Sequence, residues 1–591
     1  MQQQTYQRQW KIAGKAGEGE MVSSKLMAKG FKLLGLSVFA YYEYPSLIKG
    51  GHQTGQVLAT SHQTEYVSQR KKVDVFVALN QAALNGHESE LSSSTIVIVN
   101  QPQSGIDSNI SEPIAPKGIS DRKYLLPLSE LAKTYAASPL AANIAVLGVS
   151  AWCLNLPTDL FIQVITQEFA AKGDAVVSAN LQTFNAAYNH AKEANLPQFT
   201  APSQLKDQNI LLTGNEAVGL GALAGGVQFY SAYPMTPASG LMHYLAEQQH
   251  HYPIIVKHAE DEIAAINHAI GASFAGVRAM TGSAGGGFAL MVESVSLLGV
   301  TELPLVIMVG QRPGPATGLP TWTTQADLQF VLHAGHGEFP RIVLTPGTIQ
   351  EHFACAKASF LLAEKYQVPV FILSDKYLLE SQQTMRKPIL KHTVKRESMA
   401  PKNLAATNIY RRYELIDGGV SPRSIPGQPH GLHMANSYEH DEYGFATELA
   451  EDTIAQNTKR LQKMSLWHDQ LPAPQLFGQK KAKVCLVSWG STINGTAGVV
   501  SHLADQVSAV HLPCVWPFPT SKLEELTASA ETVVVIEGNA TGQLQQLIQQ
   551  ETKIKVHDAL RRFDGRPFYQ EDIIDWLTKK HGVLVGSERS E

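Results

Sequence analysis

Two prolines bracket one threonine in Tyr233-Pro234-Met235-Thr236-Pro237-Ala238-Ser239. Each ring locks φ and restrains the residue before it, so the Thr236 hydroxyl is held in place ahead of a helix expected over 240–249. Such a hydroxyl can donate to a carboxylate, although an N-cap at a rigid helix start explains the same residues. Downstream, His258-Ala259-Glu260-Asp261-Glu262-Ile263 opens another helix, with Ile263, Ile266, Ile270 and Phe274 at helical spacing. Acidic residues in a first turn are by default partners of the helix dipole. Glu262 stands directly beside the apolar stripe, so it is the carboxylate expected to be buried. A strand expected over 303–309 delivers Gly310-Gln311-Arg312-Pro313-Gly314-Pro315 at its carboxyl end, where ligands bind in open α/β sheets. Arg312 can clamp a carboxylate there with two parallel donors. Thr317, Thr321, Thr323 and Thr324 follow within reach, and Thr281–Gly287 forms a glycine loop suited to a phosphate or a stacked ring.

Two further clusters lie near the start of the chain. Gly14-Lys15-Ala16-Gly17-Glu18-Gly19 falls between a strand and a helix, where backbone N–H groups favour phosphate. Its spacing is not that of the dinucleotide fingerprint, and a tight turn explains it equally well. Ile48-Lys49-Gly50-Gly51-His52 places two basic side chains in a glycine-punctuated loop. Lys49 and His52 can face an anionic ligand or belong to a solvated hairpin. No G-x-S-x-G elbow, H-E-x-x-H helix or G-x-x-x-x-G-K-[ST] loop occurs.

Strand and helix patterns alternate around these motifs. A strand at 9–13, a helix at 21–34, strands at 73–79 and 95–99 and a helix at 180–194 form one unit. Leu196-Pro197 and Ala201-Pro202-Ser203 mark a linker. A second unit begins at Asn209 and carries strands at 303–309 and 368–374. Residues 381–480 read as an irregular connecting excursion. The last unit starts with a strand at 483–487, followed by a helix at 496–503, a strand at 532–536 and a helix at 542–549. This order predicts an α/β protein of three parallel-sheet domains, 1–195, 205–380 and 481–591.

The chain has 591 residues, enough for about four domains. It is 44% hydrophobic and 17% charged, the balance of a folded protein. Its formal charge is −4, with no basic run, which argues against nucleic acid as a partner. Four cysteines, none in C-x-x-C spacing, exclude a disulfide framework or a four-cysteine cluster built from local motifs. The first residues hold no apolar h-region, and no apolar stretch approaches the roughly 18 residues of a membrane span. A cytoplasmic protein without membrane attachment is expected.

Y-P-M-T-P-A-S, E-D-E-I-A-A-I-N and G-Q-R-P-G-P-A-T-G-L-P-T, in this order, resemble the α subunit of 2-oxoacid:ferredoxin oxidoreductases. The form with a γ domain fused ahead of α, as in 2-oxoglutarate:ferredoxin oxidoreductases, is the most similar, and the resemblance covers essentially the whole chain. It implies a γ-like domain, a thiamine diphosphate pyrimidine-binding domain and a transketolase C-terminal-like domain. It also implies coenzyme A-dependent oxidative decarboxylation of 2-oxoglutarate, yielding succinyl-CoA, CO2 and electrons for ferredoxin. Run in reverse, the same chemistry would be CO2 fixation. Pyruvate or indolepyruvate is the near alternative substrate, and a non-catalytic scaffold is the rival of another class. In the family, a G-D-G motif holding diphosphate and Mg²⁺, and a [4Fe–4S] cluster, lie on a β subunit. This chain lacks both signatures, so activity is expected only with β, in an (αβ)2 assembly. By resemblance Glu262 bonds N1′ of the cofactor's aminopyrimidine, which makes it both the catalytic and the cofactor-binding residue. Tyr233, Thr236, Arg312 and Thr321 lie on the substrate side. Lys49 and His52 are implied to meet coenzyme A or the distal substrate carboxylate, and no metal ligand is expected on this chain.

Overall fold

The structure, a computed structural model, describes residues 5–583 except 47–50, 63, 65, 67, 68, 102–121, 137–140, 390–395, 402, 403, 405–408, 468, 469 and 504. The chain divides into two units: Met1–Leu212 with Ser381–Lys387, and Thr213–Glu380 with Pro388–Glu591. Among the described residues no helix is long and apolar enough to cross a membrane.

The first unit is built on an eight-stranded sheet. Its order is Lys123–Leu126, Ile96–Asn100, Val75–Ala78, Gln7–Lys15, His52–Thr60, Ser37–Glu43, Gln382–Arg386 and Asn209–Thr213. Strand and helix alternation suggests parallel pairing throughout. In fact one half is parallel and the other is made of antiparallel pairs around His52–Thr60. The face bearing Trp10 and Ile12 packs into the core of helices Glu20–Leu33, Ala142–Cys153 and Asp174–Glu193. Trp10 is fully buried and spends its indole N–H on Ser150, 2.8 Å away. The opposite face buries Gln9, Lys11, Thr54 and Gln56, which is unusual for a sheet interior.

The second unit holds two sheets. The seven-stranded one runs Cys514–Trp516, Ile342–Leu344, Pro369–Asp375, Leu305–Gln311, Ala279–Ala284, Phe229–Ala232 and Ile255–His258. Its central strands Leu305–Gln311 and Pro369–Asp375 are buried along their whole length, as continuous apolar runs in parallel sheets are. The edge strand Cys514–Trp516 is antiparallel and is contributed from within the last 111 residues. The five-stranded sheet runs Gln475–Phe477, Val507–Leu512, Val484–Trp489, Thr532–Glu537 and Asp558–Arg561, all parallel except the first. Among the described residues there are therefore three sheets in an α/β arrangement, mostly parallel.

The irregular stretch after residue 396 is fastened by buried charge. Glu302, 1% exposed, meets Lys459 Nζ at 2.6 Å and Lys463 Nζ at 2.5 Å, and its carbonyl accepts Arg412 Nη2 at 2.9 Å. Burial raises the carboxyl pKa, but the two lysines and Arg412 overcome it and hold Glu302 well below the usual range. Burial brings Lys463 down to about 8. Nearby, Glu364 bonds both Arg278 and Arg396. Removing one partner of such a cluster strands the others without water, at about 3–5 kcal/mol. Glu302→Gln is therefore expected to lower the unfolding free energy of the full chain by roughly that amount in urea titrations. A loss under about 1 kcal/mol would remove Glu302 as the anchor.

Candidate functional site

Four segments converge at the carboxyl edge of the seven-stranded sheet. Phe229–Ala232 leads to Tyr233 and Thr236, Ile255–His258 to Glu262, Ala279–Ala284 to the triglycine, and Leu305–Gln311 to Arg312. Their parallel order makes this the natural ligand end of the sheet.

Helix Glu262–Phe274 starts where Asp261 caps it, accepting the Ala264 N–H at 2.8 Å. Its inward face is Glu262, Ala265, Ile266, Ala269 and Ile270, whereas Ile263 is 52% exposed. The stripe thus runs one residue away from its expected start, and the carboxylate takes the first inward place. Glu262 is 4% exposed, and its Oε1 has no hydrogen-bond partner among the described residues. It faces the start of helix Gly285–Thr301. A Cβ on Gly287 would collide with both Oε1 of Glu262 and the Ser283 hydroxyl. The glycine is what leaves room for the carboxylate. The Thr281 hydroxyl on the same strand is also buried without a partner.

Arg312 and Thr236 are brought together directly. Arg312 Nη1 donates to the Thr236 carbonyl at 2.8 Å, across 76 residues of sequence. Burial lowers the guanidinium's pKa from its ordinary value, which marks a partly dry setting for this cation. The turn is held from the other side by Asn215, whose Nδ2 donates to the carbonyls of Pro237, at 2.9 Å, and Leu379, at 3.1 Å. Met235 bridges the two halves of the site, since its sulfur accepts from the Ser283 hydroxyl at 4.0 Å. Tyr233 is 38% exposed, with its ring centroid 6.3 Å from that of His258.

The threonines after Arg312 divide by role. Thr321 is 6% exposed, and its hydroxyl has no partner among the described residues. Thr323 bonds Asp375 at 3.2 Å and Thr324 bonds the Gly538 carbonyl at 2.9 Å. Gln325 is fixed to both Gly538 and the Trp489 carbonyl. Thr323 therefore ties this loop to the end of Pro369–Asp375, Thr324 docks it onto the last sheet, and Thr317 is exposed. Two residues beside the site had no sequence signal. Asp327 lies against Gly285, with burial pushing its pKa up to about 6. Gln311 receives the Asp327 N–H on Oε1 and leaves its buried Nε2 unpartnered.

In the first unit, Lys49 lies outside the described residues. His52 is exposed at the start of its strand and contacts His87. The Gly14–Gly19 turn is filled by its own acids. Glu18 accepts the Lys15 N–H at 2.7 Å, and Glu20, 1% exposed, sets its Oε1 beside Gly14.

The chain matches three family models: "Pyruvate ferredoxin/flavodoxin oxidoreductase" over residues 9–190, "Pyruvate flavodoxin/ferredoxin oxidoreductase, thiamine diP-bdg" over 220–460, and "Pyruvate:ferredoxin oxidoreductase core domain II" over 482–573. It is 30% identical to 2-oxoacid:ferredoxin oxidoreductase 2, subunit alpha, of Aeropyrum pernix, over 98% of each chain. It is 26% identical to the 2-oxoglutarate oxidoreductase subunit KorA of Mycobacterium tuberculosis, over 95% of this chain and 90% of that one. Among solved structures it resembles a 2-oxoglutarate:ferredoxin oxidoreductase from Magnetococcus marinus with 2-oxoglutarate, coenzyme A and succinyl-CoA bound. There the TM-score is 0.89 and the identity 32%, over 97% of this chain and 99% of that one.

Glu20 yields a pH test of the turn. Burial pushes its carboxyl up to about 7, from 4.5. The folded form then holds a proton that the unfolded chain has lost, so stability falls as pH rises from about 4.5 to 7. Glu20→Gln is expected to abolish that slope, gaining about 1–3 kcal/mol relative to the parent between pH 5 and 8 in urea unfolding. An unchanged slope would show that Glu20 is ionised in the fold.

Proposed function

The chain belongs to the 2-oxoacid:ferredoxin oxidoreductase family as an α subunit, and on that premise we propose that it turns over 2-oxoglutarate with coenzyme A, giving succinyl-CoA, CO2 and electrons for ferredoxin. The substrate reading is supported by the KorA relatives and by the ligands of the Magnetococcus structure. The observation that carries the mechanism is the buried Oε1 of Glu262, an acceptor without a donor beside a glycine where no side chain fits.

A protonated ring nitrogen fits that vacancy, so the residues present suit the aminopyrimidine of thiamine diphosphate. When bound, this cofactor supplies the carbon nucleophile and the electron sink for decarboxylation. Glu262 would share a proton with the ring nitrogen N1′ and so favour the imino form at the exocyclic 4′-nitrogen. Because Glu262 is shut off from water, that hydrogen bond is stronger than it would be at a surface. Arg312, pinned through Nη1 by the Thr236 carbonyl, turns the rest of its fork to the 2-oxoacid carboxylate. The Thr321 and Thr236 hydroxyls orient the same group. These contacts position more than they trap, since the carboxylate must leave as CO2.

The diphosphate, Mg²⁺ and a [4Fe–4S] cluster are assigned to a partner β subunit. All four cysteines of this chain are buried, and burial pushes Cys485 up to about 11 and Cys153 and Cys514 to about 12. Burial keeps such thiols protonated in the chain as it stands. Tyr233, Ile263, Leu290 and Leu319 are exposed on the elements that carry the site, as expected of a face completed by another chain. An (αβ)2 assembly follows the usual pattern of the family.

Anaerobic purification of the tagged chain with its partners, followed by viologen reduction, tests the reading. The expected result is a second chain rich in iron and thiamine, with reduction that requires both 2-oxoglutarate and coenzyme A. Activity on pyruvate or indolepyruvate alone would overturn the substrate, and a lone chain without thiamine would overturn the enzyme. In the active complex, Glu262→Gln is expected to keep assembly and lose roughly 10²-fold or more of kcat. Arg312→Ala is expected to raise KM for the 2-oxoacid while leaving that for coenzyme A about unchanged.

A further inference from the structure

Thr323 and Thr324 spend their hydroxyls on the protein, whereas the Thr321 hydroxyl, buried in the same loop, bonds nothing among the described residues. Its place is therefore set by its backbone, because a β-branched side chain has little freedom at χ1. That backbone is held through the next two residues. The Thr323 N–H donates to the Gly565 carbonyl at 3.2 Å. The Trp322 ring carries the Arg566 guanidinium carbon 3.3 Å from its centroid. Gly565 and Arg566 lie in the loop that follows strand Asp558–Arg561 of the five-stranded sheet.

That loop is braced from behind. Asp572, in helix Gln570–His581, accepts from Arg562 Nη1 at 2.7 Å. Arg562 Nε donates to Asp564 Oδ1 at 3.1 Å, and the same oxygen accepts the Arg566 N–H at 2.9 Å. Arg566 Nη1 donates to the Asp564 carbonyl at 3.3 Å, which fixes one edge of the guanidinium set on the indole. Gly565 has a φ of +82°, and an added Cβ would stand 3.1 Å from the Cβ of Trp322 and 3.5 Å from Cδ1 of Leu319. Glycine is needed here both for the conformation and for the close approach. Trp322 and Arg566 are half-buried, so the attraction between cation and ring is stronger than at an open surface.

We propose that Arg566, with Gly565, is a positioning residue for the Thr321 hydroxyl, and that through it the last sheet sets how tightly the 2-oxoacid carboxylate is held. The proposal rests on the reading of Thr321 as a substrate contact. Arg566 acts through Trp322 and not on the substrate. Loss of the cation frees the indole, and the peptide that joins Trp322 to Thr321 turns with it. The hydroxyl then moves off the carboxylate. Arg312 stays in place, because the Thr236 carbonyl holds it independently of Trp322. The signature is weaker use of the 2-oxoacid with the coenzyme A step untouched.

Steady-state kinetics of the αβ complex test this. Arg566→Ala is expected to raise KM for the 2-oxoacid roughly fivefold to tenfold, while KM for coenzyme A stays within about twofold. Arg566→Lys, which keeps a cation over the ring and the fold intact, is expected to recover most of that loss. In a Thr321→Ala background, Arg566→Ala should shift KM by less than about twofold, because its effect runs through a hydroxyl already removed. An unmoved KM, an equal loss for coenzyme A, or a loss that persists undiminished without the Thr321 hydroxyl overturns the proposal. Tryptophan emission reads the contact without substrate. The contribution of Trp322, taken as the difference from Trp322→Phe, should move to longer wavelength in Arg566→Ala, and an unmoved emission also overturns the proposal. Thr321→Ala with the parental KM for the 2-oxoacid would instead overturn the reading beneath it, and the emission would still show whether Arg566 holds the indole.

Discussion

A carboxylate that is shut off from water and given no donor costs free energy in the free protein. Glu262 is in that position, and much of the second unit is arranged to keep it there. The helix begins one residue after an aspartate that takes over the capping duty, so Glu262 need not satisfy the helix end itself. The opposing helix begins with three glycines, and the third removes the atoms that would otherwise fill the space. The parallel sheet delivers both helix starts to one edge. The ring N–H proposed to meet Glu262 would offset that cost.

The proposed substrate side is held by a different device. Arg312 is tied to a backbone carbonyl and not to a carboxylate, which directs the cation without neutralising it. That carbonyl belongs to a turn pinned by Asn215 to the end of another strand. The loop beyond Arg312 is fastened to the end of Pro369–Asp375 through Thr323 and to the last sheet through Thr324 and Gln325. The last sheet's region also gives the edge strand Cys514–Trp516 to the seven-stranded sheet. Thr321 therefore stands where it does because two sheets are locked together, and disturbance at Gly538 or Trp489 would reach the site through three residues of loop.

Much of the fold class and the candidate site was legible in the sequence, for a physical reason. Strand cores such as Leu305–Gln311 and Pro369–Asp375 are apolar runs, and the residues with chemistry follow them in frames of proline and glycine. Distance in sequence defeats the same reasoning elsewhere. Asn215 acts on a turn 22 residues away, and Lys11, His52 and the His87–Glu90 turn, which bond in series, come from three separate segments. Nothing in the threonine run distinguished Thr321 from its neighbours, because only packing decides which hydroxyls find partners. The antiparallel half of the first sheet was missed because Ser37–Glu43, which mixes apolar and polar residues without alternation, is a buried strand all the same. Gln382–Arg386 escaped notice because a short polar strand has neither period nor composition to betray it.

That last strand has a consequence for how the protein is made. It is inserted between Ser37–Glu43 and Asn209–Thr213, yet it follows Thr213 by 382 − 213 = 169 residues of chain. At about 5–20 residues per second, a ribosome needs roughly 8–34 s to cover that interval. Throughout it, the nascent first unit shows an open sheet edge with no partner on the same chain. Synthesis order thus sets a period of vulnerability for this sheet. A separately encoded version ending near residue 195 would never close that edge and would need some other strand or surface to cover it.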